Sequence, residues 1–347
     1  MAFERLPETT QTLYAELLEQ AIHAEAEAAT AGAAAHGAFV SKAIKGGTYW
    51  YLQRREGDRK RQHYLGKESP ELLAWMEEVR QLRGRTAADE VQRARLGRML
   101  AAGRAATESA ATGKVLQLLA DSGVFRMGGV LVGTQAYAVY GNMLGVRFDQ
   151  PSLRTQDVDL AQDRSIGIAL SQETEPVDVE RSLTGSGLGF FPVPSLDPRR
   201  SSTSFKIRGR ELRVDFLTPL TGPDKGEPVF LPSLGVSAHP LRFLDYLIED
   251  PVQAVVVSGP GILVNVPSPA RFAFHKLWIS RRRPVSEQAK AAKDLRQGTG
   301  VLEVLLEDRP GDVTAAWEAL LRQGSAVEVV REALERTGLS FALGNDR

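Results

Sequence analysis

The chain has no cysteine in its 347 residues. That excludes disulfides, thiolate zinc sites and cysteine nucleophiles together, and it fits a reducing compartment. Histidine is scarce too. His23, His36, His63, His239 and His275 show no metal-ligand spacing such as His-Glu-x-x-His, so no zinc is expected. Charge of one sign is not in excess, with 43 Lys plus Arg against 43 Asp plus Glu. Binding of a polyanion through overall charge is thereby excluded, and any nucleic-acid footprint must be local. No stretch approaches the ~18 apolar residues that span a bilayer, and the first twenty residues lack a basic start followed by an apolar core. No membrane association and a cytoplasmic location are expected.

What is present is an ordinary globular composition, 43% hydrophobic and 25% charged, long enough for two or three packed units. Residues 9–35 have the period of an alanine-rich helix with Leu13, Leu17 and Ile22 on its apolar face, fading into a small-residue linker at 31–37. Alternating aromatic and basic residues with glycine turns predict a small antiparallel sheet over 39–66. Ser69-Pro70-Glu71 opens a helix, and a second helical stretch covers 86–107. From about 111 the pattern becomes mixed: a helix at 115–119, a strand at 130–132, a helix at 135–143 and a strand at 157–160. Further strands are expected at 166–170, 190–193 and 262–266, with a hairpin of 204–207 and 212–217. Helices follow at 269–281, 285–297, 300–307, 312–323 and 326–336. The expected fold is α/β, in three parts. Residues 1–110 form a helical region with the small basic and aromatic sheet, 111–266 a mixed sheet with helical cover, and 267–347 a C-terminal helical domain.

The chemistry concentrates in acids. In a strand, residues two apart share a face, so Asp157 and Asp159 present paired carboxylates while Val158 and Leu160 turn to the core. Asp215 lies likewise among Leu212, Val214 and Phe216, and pairing the two strands brings a third carboxylate within ~5 Å laterally. Three such acids suit hard cations, Mg²⁺ or Mn²⁺, which can stabilise the attacking and leaving oxygens of a phosphoryl displacement. Asp-apolar-Asp alone arises by chance in about one chain in three of this length, so context must carry the argument. Upstream, residues 128–134 form a strand running into Gly133 and Thr134 at a helix start, where free N–H groups and close backbone approach suit a triphosphate.

Gly133-Thr134, a helix, Asp157-Val158-Asp159 and a later Asp215 together resemble the DNA polymerase β-like nucleotidyltransferase superfamily, over roughly residues 111–297. The layout is also similar to bacterial abortive-infection and toxin-type nucleotidyltransferases. The chain carries Gly-Thr where the superfamily commonly has Gly-Ser, and a longer gap to the first acid. The resemblance implies a nucleotidyltransferase fold and transfer of a nucleoside monophosphate from an NTP to a hydroxyl, with pyrophosphate released. Gly133 and Thr134 would touch the nucleotide phosphates. Asp157 and Asp159 would bind both metals, and Asp215 would bind the catalytic metal and promote deprotonation of the acceptor. The acceptor is expected to be RNA such as a tRNA end, or DNA, before a protein side chain. A toxin or phage-defence role, with an antitoxin or other partner protein, goes with the toxin-type likeness. The alternative is a nucleic-acid-binding or regulatory protein using an inactive transferase fold.

Ser268-Pro269 has the form of an N-cap before a helix carrying Lys276, which by the resemblance would reach the triphosphate; a solvated surface lysine is the other reading. Lys290 and Asp294, four apart, read as a helical ion pair or as an echo of the toxin-type relatives. Residues 185–189 are glycine-rich but follow a helical stretch and lack a Walker lysine, so a plain loop is expected. Residues 42–67 interleave Tyr49, Trp50 and Tyr51 with Arg54, Arg55, Arg59, Lys60 and Arg61. Aromatics stack on bases and cations neutralise phosphates, making this the candidate nucleic-acid-binding segment. A self-packed sheet with aromatic core and solvated cations accounts for the same pattern.

Overall fold

The computed structural model describes residues 3–31, 37–44, 46–56, 59–148, 157–171, 176–195, 197 and 200–339. Residues 32–36 of the expected linker lie outside this set. So do the side chains of Arg54, Arg55, Arg59 and Arg61, whose strands are placed by backbone alone.

A short strand β1 (Phe3–Arg5) leads into α1 (Glu8–Ala31). The buried stripe of α1 is Tyr14, Leu17 and Ala21, at helical spacing, while Ile22, expected on that stripe, is exposed. The three-stranded antiparallel sheet follows as β2 (Ala38–Ile44), β3 (Gly47–Glu56) and β4 (Arg59–Lys67). Ser69 then caps α2 (Pro70–Ala102), its side chain accepting from the Leu72 amide at 3.2 Å, with Pro70 in the first turn. The two helical stretches expected here form one helix of 33 residues. Gly84, inside that span, has open space around it, and no proline interrupts the hydrogen-bond ladder.

The far end of α2 is anchored. Leu96 and Leu100 pack with Tyr14, Leu17 and Ala21 of α1 and with Val255 and Val257. The buried Tyr14 hydroxyl bridges the Val255 amide and carbonyl, each at 3.2 Å.

The body starts at α3 (Ala110–Ser122), then β5 (Val130–Val132), α4 (Gly133–Met143), β6 (Val146–Phe148) and β7 (Asp157–Ala161). Next come α5 (Arg164–Leu170), α6 (Val179–Thr184), β8 (Phe190–Pro192), β9 (Ser204–Ile207) and β10 (Arg213–Pro219). The strand expected at 166–170 is therefore a helix. Asp163 caps it by accepting from the amides of Ser165 and Ile166, and Ile166 and Ile168 are exposed rather than paired. Residues 185–189 form the expected loop between α6 and β8. Then follow β11 (Val229–Leu231), β12 (Val236–Leu241), α7 (Leu244–Ile248), β13 (Val252–Val256) and β14 (Ile262–Val266). The chain closes with α8 (Pro269–Arg282), α9 (Gln288–Asp308), α10 (Pro310–Leu321) and α11 (Ala326–Thr337). The two helices expected at 285–297 and 300–307 are one, α9, entered through a 3₁₀ turn at Val285–Glu287.

In the main sheet the order β11-β12-β10-β7-β5 holds the middle, with β9 and β8 on a branch from β10. β10 is parallel to β7 and β12, while β5 is antiparallel to β7, so the sheet is mixed. Its core runs without a break into the C-terminal helices. The Tyr140 hydroxyl donates to the Pro267 carbonyl at 2.8 Å, and the Tyr137 and Tyr140 rings meet Phe272 of α8. No helix among the described residues is long and apolar enough to cross a membrane.

Gly97 of α2 rests on the β13–β14 turn: a Cβ there would lie 2.7 Å from the Gly259 carbonyl oxygen. Glycine to alanine inside a helix ordinarily gains up to about 1 kcal/mol, but overpacking against backbone costs about 1–3 kcal/mol. Gly97→Ala is therefore expected to lower stability by about 1–2 kcal/mol in urea denaturation. Gly84→Ala, in open space on the same helix, should raise it.

Candidate active site

Alternation along β7 buries Val158 and Leu160 and turns Asp157 and Asp159 to the other face. β10 does the same, burying Val214 and Phe216 and leaving Arg213 and Asp215 on the face with the acids. The parallel register sets Asp215 beside Asp159 and Arg213 beside Asp157. On the other edge of β7, Val132 of β5 lies beside Asp159, and the next residue is Gly133. The three acids and Gly133 thus converge at one end of three adjacent strands, Asp159 in the middle.

Gly133 has a φ of +68°, and a Cβ there would stand 2.2 Å from Asp159 Oδ2. Only glycine lets the carboxylate lie against the start of α4. That helix begins without a side-chain cap, so its first N–H groups favour negative charge beside them. Thr134 is half-buried in the same first turn.

Asp159 is pushed up to about 6, chiefly by burial and then by Asp215, with Lys276 opposing. Asp157 is raised by burial and by Asp215, against Arg213, Lys290 and Lys293. Asp215 accepts from Arg213 Nε at 2.7 Å and from the Ser204 hydroxyl, and Ser204 in turn accepts from Arg213 at 2.7 Å. The face is therefore a nest of mutually repelling carboxylates, partly neutralised by cations from neighbouring elements.

Those cations come from the α8–α9 hairpin. Lys276, for which a solvated surface position was an open reading, is buried, and its Nζ donates to Asp294 Oδ1 at 2.6 Å. Asp294, also buried, accepts from Arg283 Nε at 3.0 Å as well. The expected Lys290–Asp294 pair is not formed, because Asp294 turns inward to Lys276 and Arg283 while Lys290 bonds Glu287 at 2.8 Å. Ser268 sits at the N-cap of α8 without a side-chain cap bond. Lys293 was not singled out from the sequence. Burial and Lys276 lower it, while Asp294, Asp157 and Asp159 act the other way, so it belongs to the same charge group. Its signal was available: it sits three residues from Lys290 and beside Asp294 on one helix. His275 is buried, stacks on Phe243 and is lowered to about 3, first by burial and then by Lys276. It is a neutral packing residue.

The segment holding Tyr49, Trp50, Tyr51, Arg54, Arg55, Arg59, Lys60 and Arg61 lies on the separate N-terminal sheet, not on the sheet of acids.

With this geometry in view, a family model described as Nucleotidyltransferase matches residues 110–322, more than half of the chain. The chain belongs to this nucleotidyltransferase family. The match takes in β5, α4, β7, β10 and the α8–α9 hairpin, which are the elements carrying the acids, Gly133 and the lysines. A second model, a domain of unknown function (DUF6788), matches residues 15–74. No curated protein and no solved structure matches the chain.

The donor chemistry of this nucleotidyltransferase face suits a hard divalent cation: three carboxylates in adjoining register positions, two of them raised by burial and then by the third, Asp215. Among the described residues no three acidic or imidazole side chains are already drawn together as ligands, and Arg213 takes up charge on Asp215. A cation would have to compete with that guanidinium.

Two expectations follow. Gly133→Ala should destabilise the fold and misplace Asp159, since the added methyl collides with the carboxylate in a backbone conformation that L residues avoid; chemical denaturation should show a loss of about 2–4 kcal/mol. Asp159 holds its proton more tightly folded than unfolded. The stability it lends is therefore fully present below about pH 4 and is lost as pH rises from there through about 6, a loss of about 3 kcal/mol. With chelator present, Asp159→Asn should be more stable than the parent at about pH 8, and the gap should close toward about pH 4.

Proposed function

We propose that this chain is a divalent-metal-dependent transferase of the polymerase β type, moving a nucleoside monophosphate from an NTP to a hydroxyl of RNA. The single observation that carries the reading is the register that sets Asp215 beside Asp159, with Asp157 on the same strand and Gly133 closing the other side. In this reading Asp157, Asp159 and Asp215 hold Mg²⁺ or Mn²⁺, which when bound supplies charge neutralisation at the phosphates. Gly133 and Thr134 bring the α4 N-terminus to the triphosphate. Lys276 and Lys293 add positive charge beside the acids, and Asp294 with Arg283 holds Lys276 in place.

The acceptor hydroxyl oxygen attacks the α-phosphorus. The bond from that phosphorus to the bridging oxygen of the β-phosphate breaks, and pyrophosphate leaves. The hydroxyl proton passes toward Asp215, whose carboxylate is the one shared with Ser204 and Arg213. Most of the acceleration is positioning and electrostatics. A toxin or phage-defence role with a neutralising partner protein belongs to the same proposal. A second reading, a binding protein on an inactive transferase fold, draws on the Arg213–Asp215 ion pair, which covers charge that a metal would need.

Incubation with each α-labelled NTP, Mg²⁺ or Mn²⁺ and cellular RNA is expected to label RNA. Asp157→Ala and Asp159→Ala should each reduce transfer by at least about a thousandfold while leaving circular dichroism unchanged. Absence of label from both RNA and protein with every NTP and both metals, for a protein of intact fold, selects the binding reading. Label in protein moves the acceptor to a side chain.

A further inference from the structure

The N-terminal sheet is two-faced, and its register sorts the residues. Tyr49 and Tyr51 of β3 alternate with Trp50 and Leu52. Across the sheet Lys42 pairs with Tyr49 and Val40 with Tyr51 on one side, and Lys67 pairs with Tyr49 and Tyr64 with Tyr51 on the other. A bulge between Trp50 and Tyr51 lets Tyr64 and Lys67 fall on the tyrosine face. Part of the opposite face is committed to the protein, while Ser41, Ala43 and His63 on it are exposed. Leu52 is buried, Phe39 meets Trp75 of α2 edge-on at 5.7 Å, and the Trp50 indole N–H donates to Glu68 at 3.0 Å.

The tyrosine face has a different character. Tyr64 is 60% exposed, and its ring lies 5.5 Å from that of Tyr51 and 6.4 Å from that of Tyr49. Lys42 stands 4.7 Å from the Tyr51 ring centroid and donates to Gln62 at 2.6 Å, and Gln62 donates to Gln53 at 2.8 Å. Gly47 gives the Lys67 stem room beside Tyr49; a Cβ there would touch both at 3.3 Å. Lys42, Lys60 and Lys67 are exposed. Further along the hairpin, Arg54 pairs in register with Arg61 and Arg55 with Lys60. Residues 38–68 hold eight Lys or Arg against three Asp or Glu, in a chain that is neutral as a whole.

A cluster of three aromatic rings, Tyr64 exposed and Tyr49 and Tyr51 half-buried, bordered by ammonium groups, suits flat bases and phosphates together. A protein partner would meet an apolar surface here, and this one is rimmed by like charge and amides. We infer that the Tyr49–Tyr51–Tyr64 face of the N-terminal sheet is a single-stranded RNA-binding platform, on which bases stack while Lys42 and Lys67 meet the phosphates. The inference rests on the RNA acceptor of the proposed function, and it separates Trp50, which holds the sheet to its flank, from the tyrosines, which face the ligand.

The test uses the full chain and a labelled unstructured 20-nucleotide RNA, without NTP or metal, with fluorescence anisotropy read across a salt series. Tyr64→Ala should weaken binding about tenfold and Tyr64→Phe should restore it, because stacking needs the ring and not the hydroxyl. The double variant Lys42→Gln with Lys67→Gln, both at exposed positions, should lower the log–log salt slope by about 1.4, at about 0.7 for each lost phosphate contact on a single strand. Circular dichroism controls for folding. The idea is overturned if the parent does not bind the RNA, if Tyr64→Ala and the lysine double variant bind as the parent does, or if DNA of the same sequence binds more tightly than RNA. The same measurement on Asp157→Ala keeps the two proposals apart. RNA bound through the tyrosines with no nucleotide transfer in the parent removes only the catalytic reading. Transfer in the parent with platform variants of unchanged affinity removes only the platform.

Discussion

Parallel pairing of β7 with β10 places like charges side by side, and the surroundings of the sheet answer that repulsion. Asp159 is deeply set, with Asp215 across the strand pair and Asp157 two residues away, so its ionised form is disfavoured. The answer is distributed. Arg213 leans on Asp215, the amide end of α4 comes up against Asp159 at a glycine, and Lys276 and Lys293 approach from the C-terminal hairpin. A hydrophobic core on the reverse of the sheet holds these groups where they would otherwise drift apart. Val158, Leu160, Val214 and Phe216 are all essentially buried, in the same cluster as the helices that supply the lysines.

The C-terminal helices therefore do more than cover a core. Lys276 would be poorly placed as an isolated buried ammonium, and Asp294 as an isolated buried carboxylate; each is tolerable because the other, with Arg283, completes the set. Close approach of α8 and α9 permits it, since a Cβ at Gly298 would lie 2.9 Å from the Ala273 carbonyl. Removing one member strands the others, so this trio ties the packing of the hairpin to the electrostatics of the acid face.

Much of this was legible beforehand, and the reasons differ by element. The Asp-Val-Asp strand, the hairpin of β9 and β10 and the small N-terminal sheet announce themselves through alternation and glycine turns, which are local signals. The helix α5 was misread because Ile166, Ile168 and Leu170 alternate as a strand does. The capping carboxylate of Asp163 decided otherwise, and the two isoleucines stayed in solvent. β12 does not show in the sequence since Pro240 and His239 blur its apolar pattern, and β13, of the same length as its partner β14, was not expected either. In the site, the acids could be named from spacing, but the partner of Asp294 could not. Lys290 is four residues away and Lys276 eighteen, and only the packing of two helices selects the second.

The unbroken length of α2 has a geometric consequence of its own. Its Leu96–Leu100 end is clamped to α1 and β13, while Trp75, near its start, meets the small sheet about 30 Å away along the axis. A rod of this kind couples reach to azimuth. Each residue inserted between the two ends advances the sheet by about 1.5 Å and swings it by about 100° around the axis. The sheet keeps roughly its heading when the helix changes by one heptad, which moves it by about 10 Å with a turn of about 20°, or by eleven residues, about 16 Å with a similar turn the other way. Natural variation in the length of this rod should thus be quantised, and a chain with a rod one heptad longer would present the same tyrosines to a strand one step farther out.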